Sequence, residues 1–294
     1  MATSLEDVSA PGSTASLLRS FIGIHLRRIG NWIAVGDLVE LISQAGVTTN
    51  STRSALSRLK GKGLLLPEIR DGRAGHVLDD HALAMLDRGD RRIYGYRPMR
   101  PGDDWMLALF SVPESERHLR HQLRTALTWM GCGMVASGTW IGPGHLLGET
   151  RDVLAERGLL GFVTTLLARE PQPPIPLTEA VAQWWDLAAL RDRYREFLDA
   201  AEPIRERWPG APTAGNQPVA GVDIAGAMFV DHLILVDNWR SIPYLDPGLS
   251  DHLLPDDWPG HAAVALFAEL DARLGPAAAG HVDAVLGRRP SAVG

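Results

Sequence analysis

Cysteine is all but missing from this chain of 294 residues: Cys132 stands alone, so no internal disulfide framework can form and burial must hold the fold. Apolar runs of membrane-spanning length are missing too. The first sixteen residues carry acids where an export signal needs a basic region followed by an apolar one, so a cytoplasmic protein without a membrane segment is expected. The ten histidines include no HxxxH pair, and a lone cysteine cannot make CxxC, so no metal or cofactor is expected either. The glycine-rich stretch 142–148 resembles a dinucleotide loop only superficially, because its spacing is wrong and Pro143 interrupts it. Lysine is nearly absent, and both examples, Lys60 and Lys62, fall in one segment.

That segment, residues 48–63, is what the chain has in place of chemistry. As a helix beginning near Thr49 it stacks Thr52, Ala55, Leu56 and Leu59 on one face at helical spacing. The opposite face carries Asn50, Arg53, Ser54 and Ser57 with Arg58 at its flank, and no acid. Short polar groups allow close approach to base edges, while arginine binds guanine with two bonds or clamps phosphate. An amphipathic stretch over 36–45 precedes it, ending at Gly46. Two β-prone runs, 64–69 and 76–78, follow, joined through Asp-Gly-Arg-Ala-Gly. Helix, tight turn, helix, hairpin predicts a winged helix-turn-helix.

The formal charge of −6 would argue against nucleic acid if it were spread evenly. It is not: residues 13–100 hold 14 basic against 8 acidic residues, and residues 101–294 hold 15 against 25. The positive charge is gathered where the recognition helix lies, as a phosphate-binding surface requires.

The rest of the chain divides in order. Residues 1–12 are expected to be a disordered lead-in and 13–29 a first helix stopped at Gly30-Asn31. Residues 32–35 suit a small strand beside the wing, and 81–90 a short helix. The basic, aromatic run 91–98 leads out, either as a linker near DNA or a partner, or packed against the wing through Ile93 and Tyr94. A strand at 105–112, a helix with Leu119, Leu123, Leu127 and Met130 inward, a strand at 134–141, a helix at 149–157 and a strand at 159–168 predict a ferredoxin-like unit. A proline-rich linker, 169–177, gives way to helices over 178–208, 224–239 and 261–274, with a glycine and proline break at 210–218. The fold class expected is α+β: a winged helix-turn-helix over 13–97, a ferredoxin-like domain over 103–170 and a helical domain over 178–275.

These features together resemble the PaaX-type transcriptional regulators, the repressors of phenylacetate catabolism and their relatives. The residues that carry the likeness are Thr52 to Leu59 with Lys62-Gly63, Arg92-Ile93-Tyr94, Trp105, Pro113-Glu114, Glu116-Arg117, Leu127, Gly131, Gly133 and Trp140-Ile141. It ends in Asp246-Pro247 and the run Leu253-Leu254-Pro255-Asp256-Asp257-Trp258-Pro259-Gly260, its most specific element. The resemblance covers roughly residues 17–270. It implies a non-enzymatic homodimer that binds double-stranded DNA at an inverted repeat, with a central domain similar in fold to the small CRISPR-adaptation nuclease. It also implies release by a small-molecule effector of the aryl-acetyl coenzyme A type or a related acid.

The residues expected on DNA are Thr49, Asn50, Ser51, Arg53, Ser54, Ser57, Arg58 and Lys60 from the helix, with Arg70 and Arg73 from the wing. Arg240, Trp140 and Trp258 are the expected effector contacts, between the central and C-terminal domains. The competing reading is a metal-dependent nuclease or RNA-processing enzyme that uses Asp103 and Asp104 at the head of the first ferredoxin-like strand. Asp231, His232 and Asp237 form the nearest approach to a polar cluster elsewhere, and His232 is expected to be a packing residue.

Overall fold

The computed structural model describes residues 10–210 and 223–287. Most of the expected lead-in and almost all of the glycine and proline break at 210–218 lie outside them.

The N-terminal unit begins with α1 (Thr14–Phe21), capped by the Ser13 hydroxyl and continued by one π-helical turn over Ile22–Leu26. Gly30 and Asn31 both take positive φ and stop it, as the sequence predicts. Then come β1 (Trp32–Ala34), α2 (Val35–Gln44) and α3 (Thr49–Gly61). Thr48 caps α3 by accepting the Ser51 N–H, and the buried residues of α3 are Thr52, Ala55, Leu56 and Leu59, the four that the periodicity selects. The wing is β2 (Leu65–Arg70) and β3 (Arg73–Leu78), with β1 on the far side of β3. Its turn is shorter than the five residues expected. Asp71 and Gly72 alone make it, both at positive φ, the two-residue geometry whose twist matches its strands.

The next helix, α4 (Asp80–Ile93), runs three residues past its expected end. Arg91 and Arg92 are therefore helical, and the run 91–98 is divided between solvent, to which Arg91, Tyr94, Gly95 and Arg97 are exposed, and the other two units. Arg92 is buried, bonding Glu149 and the Met130 carbonyl. The Tyr94 ring lies 5.8 Å from Phe267 in the C-terminal unit.

The central unit has the order β4 (Trp105–Phe110), α5 (His118–Trp129), β5 (Gly133–Ala136), β6 (Thr139–Pro143), α6 (Leu147–Glu156) and β7 (Val163–Ala168). The single strand expected at 134–141 is a hairpin, turned at Gly138 with φ +81. That turn supplies the missing strand: an antiparallel sheet ordered β5-β6-β4-β7 with α5 and α6 on one face is the complete ferredoxin-like arrangement.

Beyond it lie α7 (Leu177–Trp184), α8 (Leu187–Arg207), α9 (Ile224–Trp239), the short α10 (Ile242–Leu245) and α11 (Gly260–Val285). The one helix expected over 178–208 is two. Trp185 leaves the helix to donate from its indole to the Gly131 carbonyl at 2.9 Å, and Asp186 then caps α8. The last helix runs eleven residues past its expected end at 274. The core of the winged helix reaches into this bundle: Phe229, Leu233, Ala278 and Val282 pack with Leu18, Phe21 and Leu26.

Candidate nucleic-acid interface and adjoining cavity

The polar face of α3 is fully presented. Thr49, Asn50, Ser51, Arg53, Ser54, Ser57, Arg58 and Lys60 are all exposed, because the four residues between them are spent on the core. At 1.5 Å per residue this helix offers about 20 Å of surface, enough to follow a major groove. Among the described residues, the side chains of Arg53, Arg58 and Lys60 make no hydrogen bond or ion pair, so an incoming anion would displace no partner from them.

The wing arginines differ. Arg70 holds Glu68 through two bonds of 2.8 and 3.0 Å and lies over the Trp32 ring at 5.5 Å, while Arg73 is ion-paired to Asp37 of α2. Both sit at the hairpin tip, with positions fixed by acids that sequence reasoning did not pair with them. Ile69, the residue before Arg70, is 74% exposed, an apolar position near the tip that the sequence analysis did not select.

The three expected effector residues occupy three different environments. Trp140 is buried under α5 and α6 in the central core. Trp258 is buried against Tyr194 in the C-terminal core, ring centroids 5.8 Å apart. Arg240 caps the C-terminal end of α9 and ties the bundle to the winged helix: it donates to Ser16 at 2.6 Å and Ser20 at 3.0 Å, and both hydroxyls donate to the fully buried Asp237. Asp237 also accepts the Gly12 N–H at 2.7 Å. A buried carboxylate with this many donors is well satisfied.

Arg240 lines a cavity. A chamber of about 190 Å³ lies where the π-helical turn, the wing root, α4, α5 and α9 meet. Its wall includes Gly23, Leu64, Leu86, Trp129, Val236 and Arg240. A second, polar recess of about 370 Å³ lies behind α4, lined by Arg91, Arg97, His145 and Asp246 among others. Asp246 is wholly buried, and burial raises its carboxyl above the usual range against hydrogen bonds from Tyr194, the Gly248 N–H and Tyr96.

Asp103 and Asp104, on which an enzymatic reading depends, serve local structure. Asp103 accepts the Arg100 N–H at 3.0 Å, and Asp104 faces Arg169 at 3.7 Å. His232 pairs with Asp271 at 2.8 Å, and Asp231 with Arg207 and the Trp208 indole. Among the described residues no three metal-ligating side chains are placed to share an ion, and no helix is long and apolar enough to cross a membrane.

A winged helix-turn-helix joined to a ferredoxin-like unit and a helical bundle defines a three-part architecture in which one part presents a basic helix. Sequence-family comparison matches each part in turn: "PaaX-like protein" over residues 13–82, "PaaX protein central Cas2-like domain" over 99–180, and "PaaX-like protein C-terminal domain" over 185–284. The chain belongs to the PaaX family. It is 27% identical to the transcriptional repressor PaaX of Escherichia coli, across 92% of this chain and 83% of that one. A solved structure of an uncharacterised Mycobacterium tuberculosis protein, Rv0674, has the same fold. It superposes with a TM-score of 0.57 at 23% identity, covering 94% of this chain and 99% of that one.

Proposed function

We propose that this protein is a cytoplasmic transcriptional repressor that binds an inverted-repeat operator as a homodimer and leaves it when a small-molecule effector binds. The single observation that carries the reading is α3: an exposed, acid-free face of arginines and short polar side chains, held by a buried face, within a chain of the PaaX family. Asn50, Arg53, Ser54, Ser57 and Arg58 enter the major groove, with Thr49 and Ser51 at the helix N-terminus. Lys60 meets the backbone. Arg70 and Arg73 approach the flanking minor groove or phosphates after exchanging their acid partners.

The sequence places the effector between the central and C-terminal domains, but Arg240 faces the winged helix, so the effector acts between the winged helix and the C-terminal bundle, where it biases the spacing of the two recognition helices, since only unequal affinity for two arrangements can switch operator binding. Arg240 is the nearest of the expected contacts. Trp140 and Trp258 belong to the central and C-terminal cores and make no contact with Arg240 among those the described residues show. The nuclease alternative draws no support from Asp103 or Asp104, whose carboxylates are engaged in the turn and an ion pair.

Gel-shift titration on the DNA upstream of its own gene, at two salt concentrations, tests the reading. Arg53→Ala should cost about 1–3 kcal/mol and relax sequence preference, whereas Lys60→Ala should weaken all sequences alike and reduce the salt slope by about one. Equal binding by both variants and the parent protein would remove α3 from the interface.

A further inference from the structure

We propose that Asp246 is a positioning residue for operator recognition: at the head of a buried loop, 246–250, it locks the central unit to the rest of the molecule and so sets the half-site spacing that a dimer accepts. This rests on the homodimeric operator reading and adds to it a determinant of spacing.

The loop is unusual in its burial. Residues 246–250 have no regular secondary structure, yet all five are buried. Loops run over surfaces because a buried one must pair its backbone groups without water. This one does so with the help of Asp246. The Gly248 N–H donates to its carboxylate at 2.7 Å, and the Gly248 carbonyl accepts from the Met99 N–H at 2.7 Å.

All three units meet there. Tyr194 of α8 donates to the Asp246 carboxylate, and so does Tyr96, in the segment that leaves the winged helix for β4. Gly131, in the turn between α5 and β5, lies against the loop as well: a Cβ on it would be 3.2 Å from the Asp246 carbonyl oxygen and 3.3 Å from the Pro247 Cα. One on Gly248 would be 3.1 Å from the Arg97 carbonyl oxygen. Backbones this close leave little room to slide. The Tyr194 bond stays within the bundle, whereas the Tyr96 bond crosses between units.

That crossing bond bears on DNA because of what else is fixed. The winged helix shares a core with α9 and α11 and moves with them, so the central unit is the part whose angle can change. Trp105 and Ile141 pack its sheet against the bundle, but apolar contact is non-directional; the hydrogen bonds at Asp246 give the angle its direction. Five of the eight large apolar side chains exposed among the described residues, Leu109, Met134, Val135, Leu166 and Leu167, lie on strands of the central sheet, and it is there that the second copy pairs. The angle at Asp246 then decides how far apart two α3 helices stand. Each base pair added between half-sites moves them by about 3.4 Å and about a tenth of a turn, so a small change of angle is a change of spacer.

Selection of the full chain on inverted repeats with randomised half-sites and graded spacers gives its preferred operator, and gel-shift titration then compares variants. Tyr96→Phe, which removes the crossing bond, should reduce the penalty for a base pair more or less by about threefold or more, with the preferred bases unchanged. Tyr194→Phe removes a bond of the same kind within the bundle and should keep the parent's spacer profile. Spin labels at Ser54→Cys on α3 and Gln122→Cys on α5, both exposed positions, should show a wider spread of distances in Tyr96→Phe; Cys132 is buried and stays unlabelled. An unchanged spacer profile in Tyr96→Phe, or equal broadening by Tyr194→Phe, would overturn the positioning role. A parent protein with no preferred spacer would instead overturn the dimeric operator reading. The label distances would then decide the joint by themselves, an unchanged spread overturning it too.

Discussion

Among single residues, the clearest burden in the fold is His25. It sits in the π-helical turn between Phe21, at 5.2 Å, and Phe229, at 5.8 Å, and neither ring nitrogen finds a hydrogen-bond partner among the described residues. Burial pushes its imidazole down to about 3, helped by the nearby His232 and Arg28. A depressed histidine favours the folded state fully above the unfolded value near 6.5, and that contribution drains away as pH falls from there toward 3. The loss should be about 1.4 kcal/mol per pH unit, or about 2 kcal/mol by pH 5. Urea unfolding at pH 7.5 and pH 5.0 should show it, and His25→Phe should remove most of the difference; an equal pH dependence in both proteins would refute this origin. Nothing in the sequence singles His25 out, because Phe229 and His232, which close over it, come from α9, some two hundred residues away. Arg240 was legible only in part. Its place at the end of an apolar helix follows from the pattern, but its ties to Ser16 and Ser20 depend on how α1 lies across α9.

For the secondary-structure elements, what local sequence controls was legible and what tertiary contact controls was not. The four buried residues of α3 and the helix stops at Gly30 and Gly46 follow from periodicity and left-handed backbone positions. The hairpin inside 134–141 was missed because Ser137-Gly138 is a weak turn signal within an apolar run. The break at Trp185 was missed because what ends α7 is an indole reaching Gly131 of another unit. The wing shows how tightly such contacts fix an element. A Cβ on Gly75 would lie 2.5 Å from the Trp32 ring and 2.6 Å from the Ile33 carbonyl, atoms of the strand paired with it. Gly75→Ala should therefore cost about 1–3 kcal/mol in denaturant unfolding and weaken operator binding by disturbing Trp32 under Arg70. Gly36→Ala in α2, where a Cβ meets nothing, should do the opposite and stabilise by about 0.5–1 kcal/mol. A Gly75→Ala protein as stable as the parent would show that the wing can open without cost.

In the whole molecule, the three-part division of the sequence conceals a shared core. Charge segregation and the linker at 169–177 suggest a winged helix that could stand alone, yet Leu18, Phe21 and Leu26 are covered by Phe229, Leu233, Ala278 and Val282 from α9 and α11. Phe21 meets Phe229 edge to face at 6.3 Å, Arg28 of the first unit holds Asp283 of the last, and His281 bonds Gln44 of α2. Removing the C-terminal bundle would expose that face and strand Asp237's partners Ser16 and Ser20. A fragment of residues 1–97 should accordingly fail to fold: poor amide dispersion in nuclear magnetic resonance spectra and no cooperative melt. The full chain should lose its winged helix and its bundle in one calorimetric transition. Phe229→Ala, in the bundle, should cost about 3–5 kcal/mol and loosen the DNA-binding unit as well, read as faster amide exchange in α1 and α3. A fragment that melts cooperatively by itself would separate the two units. It would also remove the physical route by which a ligand beside α9 could reach a helix in the major groove, because coupling of that kind needs a packed element that both sites can bias.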